Sequence, residues 1–192
     1  MIKFIITLFL ILSFSTQLFA EENDTIFSPG KIGITAITDS GSWWIGGILH
    51  IREDIAVKPA FLLYKRETDR KDDRYNSEAD EIGFEIGIYY FFNSTRNFSI
   101  YTGPSFEYFW CSSETTYSDG DKYKEKEYEY TLLIRLGAQY MLSERFGFFA
   151  DIGFGYIRTI EKDKSPYSDD TETTSNRYRT NGGVIGAVFY FN

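Results

Sequence analysis

The sequence predicts an all-β protein, an eight-stranded antiparallel up-and-down transmembrane β-barrel. Two observations predict this fold. Eight short segments alternate apolar with polar residues, which is the period of a strand whose two faces meet different surroundings. After a short first turn, the connections between these segments are alternately long and short. Hairpins of a membrane barrel show this asymmetry, because all turns at one rim are short and those at the other rim are long.

The first 20 residues are predicted to be a secretory signal peptide. Lys3 precedes the apolar run Phe4–Phe14, and the small residue Ala20 precedes an acidic stretch. A membrane anchor is the alternative, but the run is short of the roughly 20 residues that a spanning helix needs. We therefore expect cleavage after Ala20 and one barrel domain over residues 21–192.

The strands are expected to be joined by three long polar loops, which cover residues 66–80, 111–126 and 159–176. The remaining connections are tight and rich in Asp, Asn, Ser, Glu and Arg. Both faces of the eighth strand are apolar, so its register and that of the first strand stay open. In order, the predicted strands are Lys31–Thr38, Trp43–Ile51, Ile55–Lys65, Glu81–Phe92, Phe98–Trp110, Glu127–Leu142, Phe146–Arg158 and Arg177–Phe191.

The fourth segment shows which face of the sheet meets lipid. Its apolar face carries Ile82, Phe84, Ile86, Ile88 and Tyr90, whereas Gly83, Glu85, Gly87 and Tyr89 share the other face. An eight-stranded barrel has little interior room, which small residues fit better than many large apolar ones. We therefore predict an apolar exterior with aromatic residues at its rims, and keep a soluble lipocalin-like barrel as the alternative.

Two stretches resemble small eight-stranded outer-membrane proteins of the OmpA-transmembrane-domain and OmpX type. They are the aromatic and glycine-rich strand Phe146–Tyr156 and the C-terminal stretch Gly186–Phe191. The resemblance implies an outer-membrane barrel with both termini in the periplasm and outer-membrane lipid around it. It also implies that Phe189 and Phe191 serve as the signal that the barrel-assembly machinery reads, although Asn192 follows where such chains usually end in an aromatic residue.

Several charged residues fall on the predicted inner face. Charges enclosed in a narrow lumen need partners, because an unpaired buried charge is costly. The sequence therefore predicts an internal ion-pair network, which is structural in the main interpretation and lines a narrow polar pathway in the alternative. Its members are expected to be Lys58, Glu85, Glu107, Glu129, Arg135 and Asp151.

No group of residues indicates catalysis, a cofactor or a metal site. His50 is the only histidine and is expected near the periplasmic rim, whereas family members that modify lipids use a histidine at the outer rim. Cys111 is the only cysteine, so no internal disulfide can form, and we expect an inert thiol. A net charge of −8 argues against nucleic acid as a partner.

The long loops carry the leading functional hypothesis. They are polar and contain Tyr75, Tyr117, Tyr123 and Tyr167, residues suited to adaptable protein contacts. We predict a non-enzymatic protein that uses loops 66–80, 111–126 and 159–176 for adhesion, surface interaction or envelope integrity. A narrow channel for small solutes is the alternative; a lipid-modifying enzyme is less favoured.

Overall fold

A computed structural model describes residues 27–39, 42–70, 75–92, 95, 97–117, 121–164 and 170–191. The predicted signal peptide and its cleavage site at Ala20 lie outside these residues, as do Tyr167 and Asn192. Within the described part of the chain, no helix has the length and apolar character needed to cross a membrane.

Eight antiparallel strands follow one another around a closed barrel. Each strand pairs with the next, and the ring closes between the first and the last, where Ile32 lies opposite Phe191. This pairing fixes the register of the first and eighth strands, which the sequence left open. The strands are β1 Ile32–Asp39, β2 Ser42–His50, β3 Ile55–Arg70, β4 Tyr75–Phe92, β5 Phe98–Tyr117, β6 Lys122–Met141, β7 Phe146–Lys164 and β8 Thr171–Phe191.

The outer surface of the barrel is an apolar band. In β6, Leu132 and Ile134 are each 59% exposed, whereas their neighbours Leu133 and Arg135 are buried inside the barrel. A soluble barrel would place its apolar side chains inward. The transmembrane fold is therefore confirmed, and the soluble alternative is wrong. The same exposure recurs around the wall, at Ile45, Phe61, Ile86, Ile88, Phe148, Ile152, Phe154, Ile185, Phe189 and others.

The lumen near the short turns is filled by large aromatic side chains, more than its glycine-rich sequence suggests. They fit because several of the large rings lie over glycines on the inner wall. A side chain at Gly137 would meet the Tyr101 ring, and one at Gly186 would meet the Phe149 ring. The core cluster at this end includes Tyr89, Phe91, Tyr101, Met141, Phe149, Val188 and Tyr190.

The three long loops of the sequence prediction are mostly strand. Residues 66–70 and 75–80 continue β3 and β4, residues 111–117 and 122–126 continue β5 and β6, and residues 159–164 and 171–176 continue β7 and β8. Register is kept throughout, so that Glu125 lies opposite Asp163. The prediction was wrong because cross-strand pairing outweighs the weak strand preference of Asp, Glu and Lys.

The barrel wall has unequal height. The β1–β2 hairpin ends at Asp39 and Ser42, whereas the strands from β3 to β8 extend well beyond it. At this level, six strands form an open sheet, here called the extension. The described pairs of β2 with β3 end at Phe61, and those of β1 with β8 end at Ile185. Within the described residues, the upper edges of β3 and β8 therefore have no neighbouring strand.

A β-bulge in β8 changes which residues face inward. Between Asp151 and Gly153 of β7, the partner in β8 jumps from Val184 to Asn181, so β8 contains one extra residue. Below the bulge Val184 is buried, whereas above it Arg177 takes the inward side opposite buried Ile157. The bulge therefore lets β8 continue its pairing while its residue alternation reverses.

Candidate functional site

Arg135 is the centre of a buried polar cluster in the middle of the lumen. Its side chain is 2% exposed, and its Nη1 donates to Asp151 Oδ1 at 2.6 Å. Its Nε donates to Ser105 Oγ at 3.1 Å and lies 3.4 Å from Glu85 Oε1, and its Nη2 pairs with Glu107. A planar guanidinium suits this arrangement, because its donors fan out in fixed directions.

Lys58 and two tyrosines complete the arrangement. Lys58 Nζ lies 3.8 Å from Asp151 Oδ2, which also accepts a hydrogen bond of 2.8 Å from the Tyr101 hydroxyl. The Tyr89 hydroxyl donates to Glu85 Oε1 at 3.2 Å. Buried Asp151 and Glu85 thus each have a cationic neighbour and a hydroxyl donor, as buried carboxylates require.

Glu129 does not join this cluster, although it faces the same interior. Its carboxylate accepts from Thr131 Oγ1 at 3.3 Å and Thr159 Oγ1 at 3.5 Å, and lies 3.2 Å from Arg177 Nη2. The expected single network is therefore two clusters along the axis. The second was missed because the role of Arg177 depends on the β8 bulge, which the sequence pattern shows only as a Gly182-Gly183 pair.

The short-turn end of the lumen is closed by Phe27. Its ring is 1% exposed and stacks on His50, with the centroids 4.3 Å apart. His50 Nε2 lies 3.0 Å from the Tyr190 hydroxyl, to which Gln139 Nε2 donates at 3.3 Å. The only histidine is thus buried in an aromatic plug at the rim where the sequence predicted it, and Phe27 was not predicted to take part.

A small cavity lies between the plug and the Arg135 cluster. It lies beside Thr35, Lys58 and Gln139 and has a volume of about 10 Å³, which is room for one water molecule. Thr35 Oγ1 is buried without a hydrogen-bond partner among the described residues and borders this cavity. The cavity is lined by Lys58, Tyr89 and Tyr101 of the Arg135 cluster and by Phe91 and Gln139, which contact the plug.

Cys111 lies half-buried in β5, just beyond the apolar band. It is paired in register with Glu81 on one side and Glu127 on the other. Burial and these carboxylates raise the pKa of its thiol, which lowers the thiolate fraction and the reactivity. This environment agrees with an inert cysteine. No group of three or more potential metal ligands forms among the described residues.

Solved structures provide the comparison with known proteins. A major outer membrane protein from Thermus thermophilus matches with a TM-score of 0.55 at 9% identity, covering 84% of this chain and 98% of that one. Ail, the attachment invasion locus protein of Yersinia pestis, matches with a TM-score of 0.45 at 12% identity over 84% and 94% of the two chains. The N-terminal β-barrel domain of Pseudomonas aeruginosa OprF gives 0.42 at 13% identity over 86% and 100%.

No protein-family model matches the chain, and no curated protein matches it. The Thermus match at this identity concerns the fold alone. The chain has the fold of small outer-membrane β-barrel proteins, as the resemblance in its sequence implied.

Proposed function

We propose that the protein is a non-enzymatic surface protein of a bacterial outer membrane, whose barrel anchors the extension for contact with proteins outside the cell. In this orientation the short turns and both termini face the periplasm, and the extension projects from the cell. The outer-membrane fold and the position of all long hairpins at one rim support this orientation.

The unequal height of the wall is the observation that carries the proposal. Because β1 and β2 stop early, the part of the extension that the structure describes has no neighbouring strand at the β3 edge or at the β8 edge. All of the β8 residues Thr171–Thr180 are exposed. A free strand edge offers unpaired backbone donors and acceptors to an extended segment of a partner protein.

The position of His50 supports a non-enzymatic role. Its ring is covered by Phe27 and is 0% exposed, so neither solvent nor a lipid head group contacts it in this arrangement. The described residues also bring no hydroxyl or thiol nucleophile of Ser, Thr or Cys to it; its close polar neighbour is Tyr190. The channel alternative gains no support from the described lumen, because buried side chains of the Arg135 cluster occupy its middle and the aromatic plug occupies its short-turn end.

The test compares three chains in a bacterium that does not adhere by itself. One is the wild type. The second has residues 159–175 replaced by an Asn-Gly turn, joining Arg158 to Asn176, which lie opposite each other. The third is a matched control with residues 115–123 replaced in the same way, joining Glu114 to Lys124. This control shortens the middle of the extension and leaves the β8 edge long.

Adhesion to immobilised fibronectin, laminin and collagen, and cell-to-cell aggregation, would be measured at equal barrel levels. We expect the wild type and the control to adhere and the β8-trimmed chain to lose adhesion. Boiled and unboiled gel mobility shows whether each barrel is folded in the outer membrane. Absence of adhesion by folded wild type would overturn the proposal. A different result would indicate a role in envelope integrity: cells that lack the barrel are sensitive to detergent, and all three chains restore their resistance equally.

A further inference from the structure

The upper parts of β6 and β7 separate charge between the two faces of the extension. Along β6, the sequence alternates lysine with tyrosine or glutamate from Lys122 to Glu127. Lys122, Lys124 and Lys126 are exposed, whereas the odd-numbered residues between them are half-buried on the inner side. In β7, Lys162 and Lys164 are exposed on the outer face, and Glu161 and Asp163 face inward. The outer face is basic and the inner face acidic.

Register places these lysines directly opposite one another. Lys126 lies opposite Lys162, and Lys124 lies opposite Lys164. Directly opposed side chains have Cβ atoms roughly 5 Å apart, and like charges in this position destabilise a sheet. The two pairs therefore favour binding of an anion that neutralises their repulsion.

Neighbouring carboxylates neutralise the cluster only in part. Lys124 lies 2.7 Å from Glu114, Lys162 lies 3.0 Å from Glu172, and Lys164 lies 3.8 Å from Asp170. Among the described residues, Lys126 forms no ion pair. The carboxylate of Glu114 is also shared with Lys122. Positive charge therefore remains on the outer face of β6 and β7.

The cluster begins where the lipid-facing band ends. The outward residues of β6 run from Leu132 through Tyr130 and Tyr128 to Lys126, so Lys126 lies roughly 7 Å along the strand beyond Tyr128. Exposed Arg158, opposite Tyr130, adds a cation at the level of the tyrosines. Tyrosines mark the interface of a membrane barrel, so the lysines lie at the level of the lipid head groups.

A cavity of about 410 Å³ lies among the same side chains. Its volume exceeds that of a phosphate group, and lysines of both opposed pairs lie on its wall. Three carboxylates, those of Asp163, Asp170 and Glu172, share this wall with the lysines.

We propose that this lysine cluster binds the phosphate groups of anionic lipid in the leaflet that surrounds the barrel. The basic face is the one that continues the lipid-facing wall, and the acidic face points away from the lipid. Lysines at a membrane surface attract anionic head groups. Bound lipid would fix the extension relative to the membrane surface on the β6–β7 side.

The test uses the whole protein folded in neutral detergent micelles, with lipid binding titrated by native mass spectrometry. The probes are phosphatidic acid, which exposes a phosphate group, and phosphatidylcholine, which has no net charge. We expect the wild type to bind phosphatidic acid about tenfold more tightly. Lys126→Gln combined with Lys162→Gln should remove most of this preference. The matched control, Arg52→Gln with Arg145→Gln, removes two exposed cations at the short turns and should keep it.

Inorganic phosphate, added as a competitor, separates the lipid from the free ion. Because acyl chains against the apolar wall strengthen lipid binding, we expect inorganic phosphate to leave the binding of phosphatidic acid unchanged. Equal binding of the two lipids by the wild type would overturn the proposal. So would an equal loss in the Arg52/Arg145 control, or full displacement by inorganic phosphate at equal concentration. Gel mobility before and after boiling confirms that every variant is folded.

Discussion

Arg135 of β6 and Asp151 of β7 form a fully enclosed ion pair at the centre of the barrel, with Nη1 and Oδ1 2.6 Å apart. The side chain of Asp151 is 0% exposed and that of Arg135 is 2% exposed. Arg135 lies opposite Gly153, and Asp151 lies opposite Gly137. The two side chains therefore meet diagonally, because the glycines leave room for them. The stability of the lumen depends on keeping this pair complete.

Replacement of Arg135 with Met should destabilise the barrel by about 3–5 kcal/mol, because it leaves buried carboxylates without their cation. Urea unfolding in lipid vesicles, followed by tryptophan fluorescence, measures this change. Arg158→Met is the matched control: this arginine is exposed, and its loss should change the free energy of unfolding by less than about 1 kcal/mol. Equal effects of the two substitutions would contradict the structural role of the cluster.

Replacement of Gly137 with Ala should destabilise the barrel by about 1–3 kcal/mol, because the new methyl group would collide with the Tyr101 ring and displace it from Asp151. Gly47→Ala provides the comparison, since a methyl group there meets only ordinary contacts. The same urea titration should show a clear shift for the first variant and almost none for the second. A tolerated Gly137→Ala would mean that Tyr101 is not held over this glycine.

Planar bilayers that contain the wild-type barrel should stay free of steady ion current. The lumen is filled by Arg135 and its partners in the middle and by Phe27, His50 and Tyr190 at the short-turn end. Conductance is measured in symmetric potassium chloride with the folded barrel. A reproducible open state that changes in Glu107→Gln would instead support the channel alternative.

The ion pairs of Glu114 should make its carboxyl group unusually acidic. Lys122 and Lys124 donate to it and hold its pKa well below the usual range. Since the pKa is lowered by folding, the stabilisation is present at neutral pH and is lost as the pH falls through the folded pKa. Nuclear magnetic resonance titration of the Glu114 carboxyl at low and high salt is the measurement. Screening should raise its pKa towards the ordinary value, whereas no response to salt would contradict the pairing.

Hydrogen exchange should distinguish the edge of the extension from its middle. We expect backbone amides of Thr171–Thr180 to exchange faster than those of Lys122–Tyr130, because β6 has paired strands on both sides and upper β8 on one side. Mass spectrometry of peptides from the folded barrel measures both segments. Equal protection would indicate that another strand covers the β8 edge.

Alternation in the sequence predicted the number of strands and the outward face of β4 to β7, because burial against lipid imposes a strict period on those residues. It also predicted that the side chains of Lys58, Glu85, Arg135 and Asp151 face inward, where all four are buried. It did not predict the length of the upper strands. There both faces are polar, so the segment around Glu125 carries alternation of charge rather than of hydropathy, and pairing with a neighbouring strand decides its structure.

Two parts of the site depended on tertiary structure. Phe27 lies outside every strand, and only the closed ring brings it onto His50. The pairing of Arg177 with Glu129 requires the bulge that reverses inward and outward positions in β8. A Gly-Gly pair is compatible with a bulge but also with a turn, so the sequence pattern alone could not choose between them.

The continuous register of the upper hairpins also bears on how such a chain can diversify. Since Glu161 faces Thr173 and Glu114 faces Lys124, equal numbers of residues can be gained or lost on both sides of a hairpin without disturbing the wall below. Paired insertions would raise the projecting sheet in steps, and paired deletions would lower it in steps. An unpaired insertion would exchange its acidic and basic faces unless a bulge absorbed it, as the one in β8 does. Descendants of this chain should therefore vary in hairpin height far more than in the lumen.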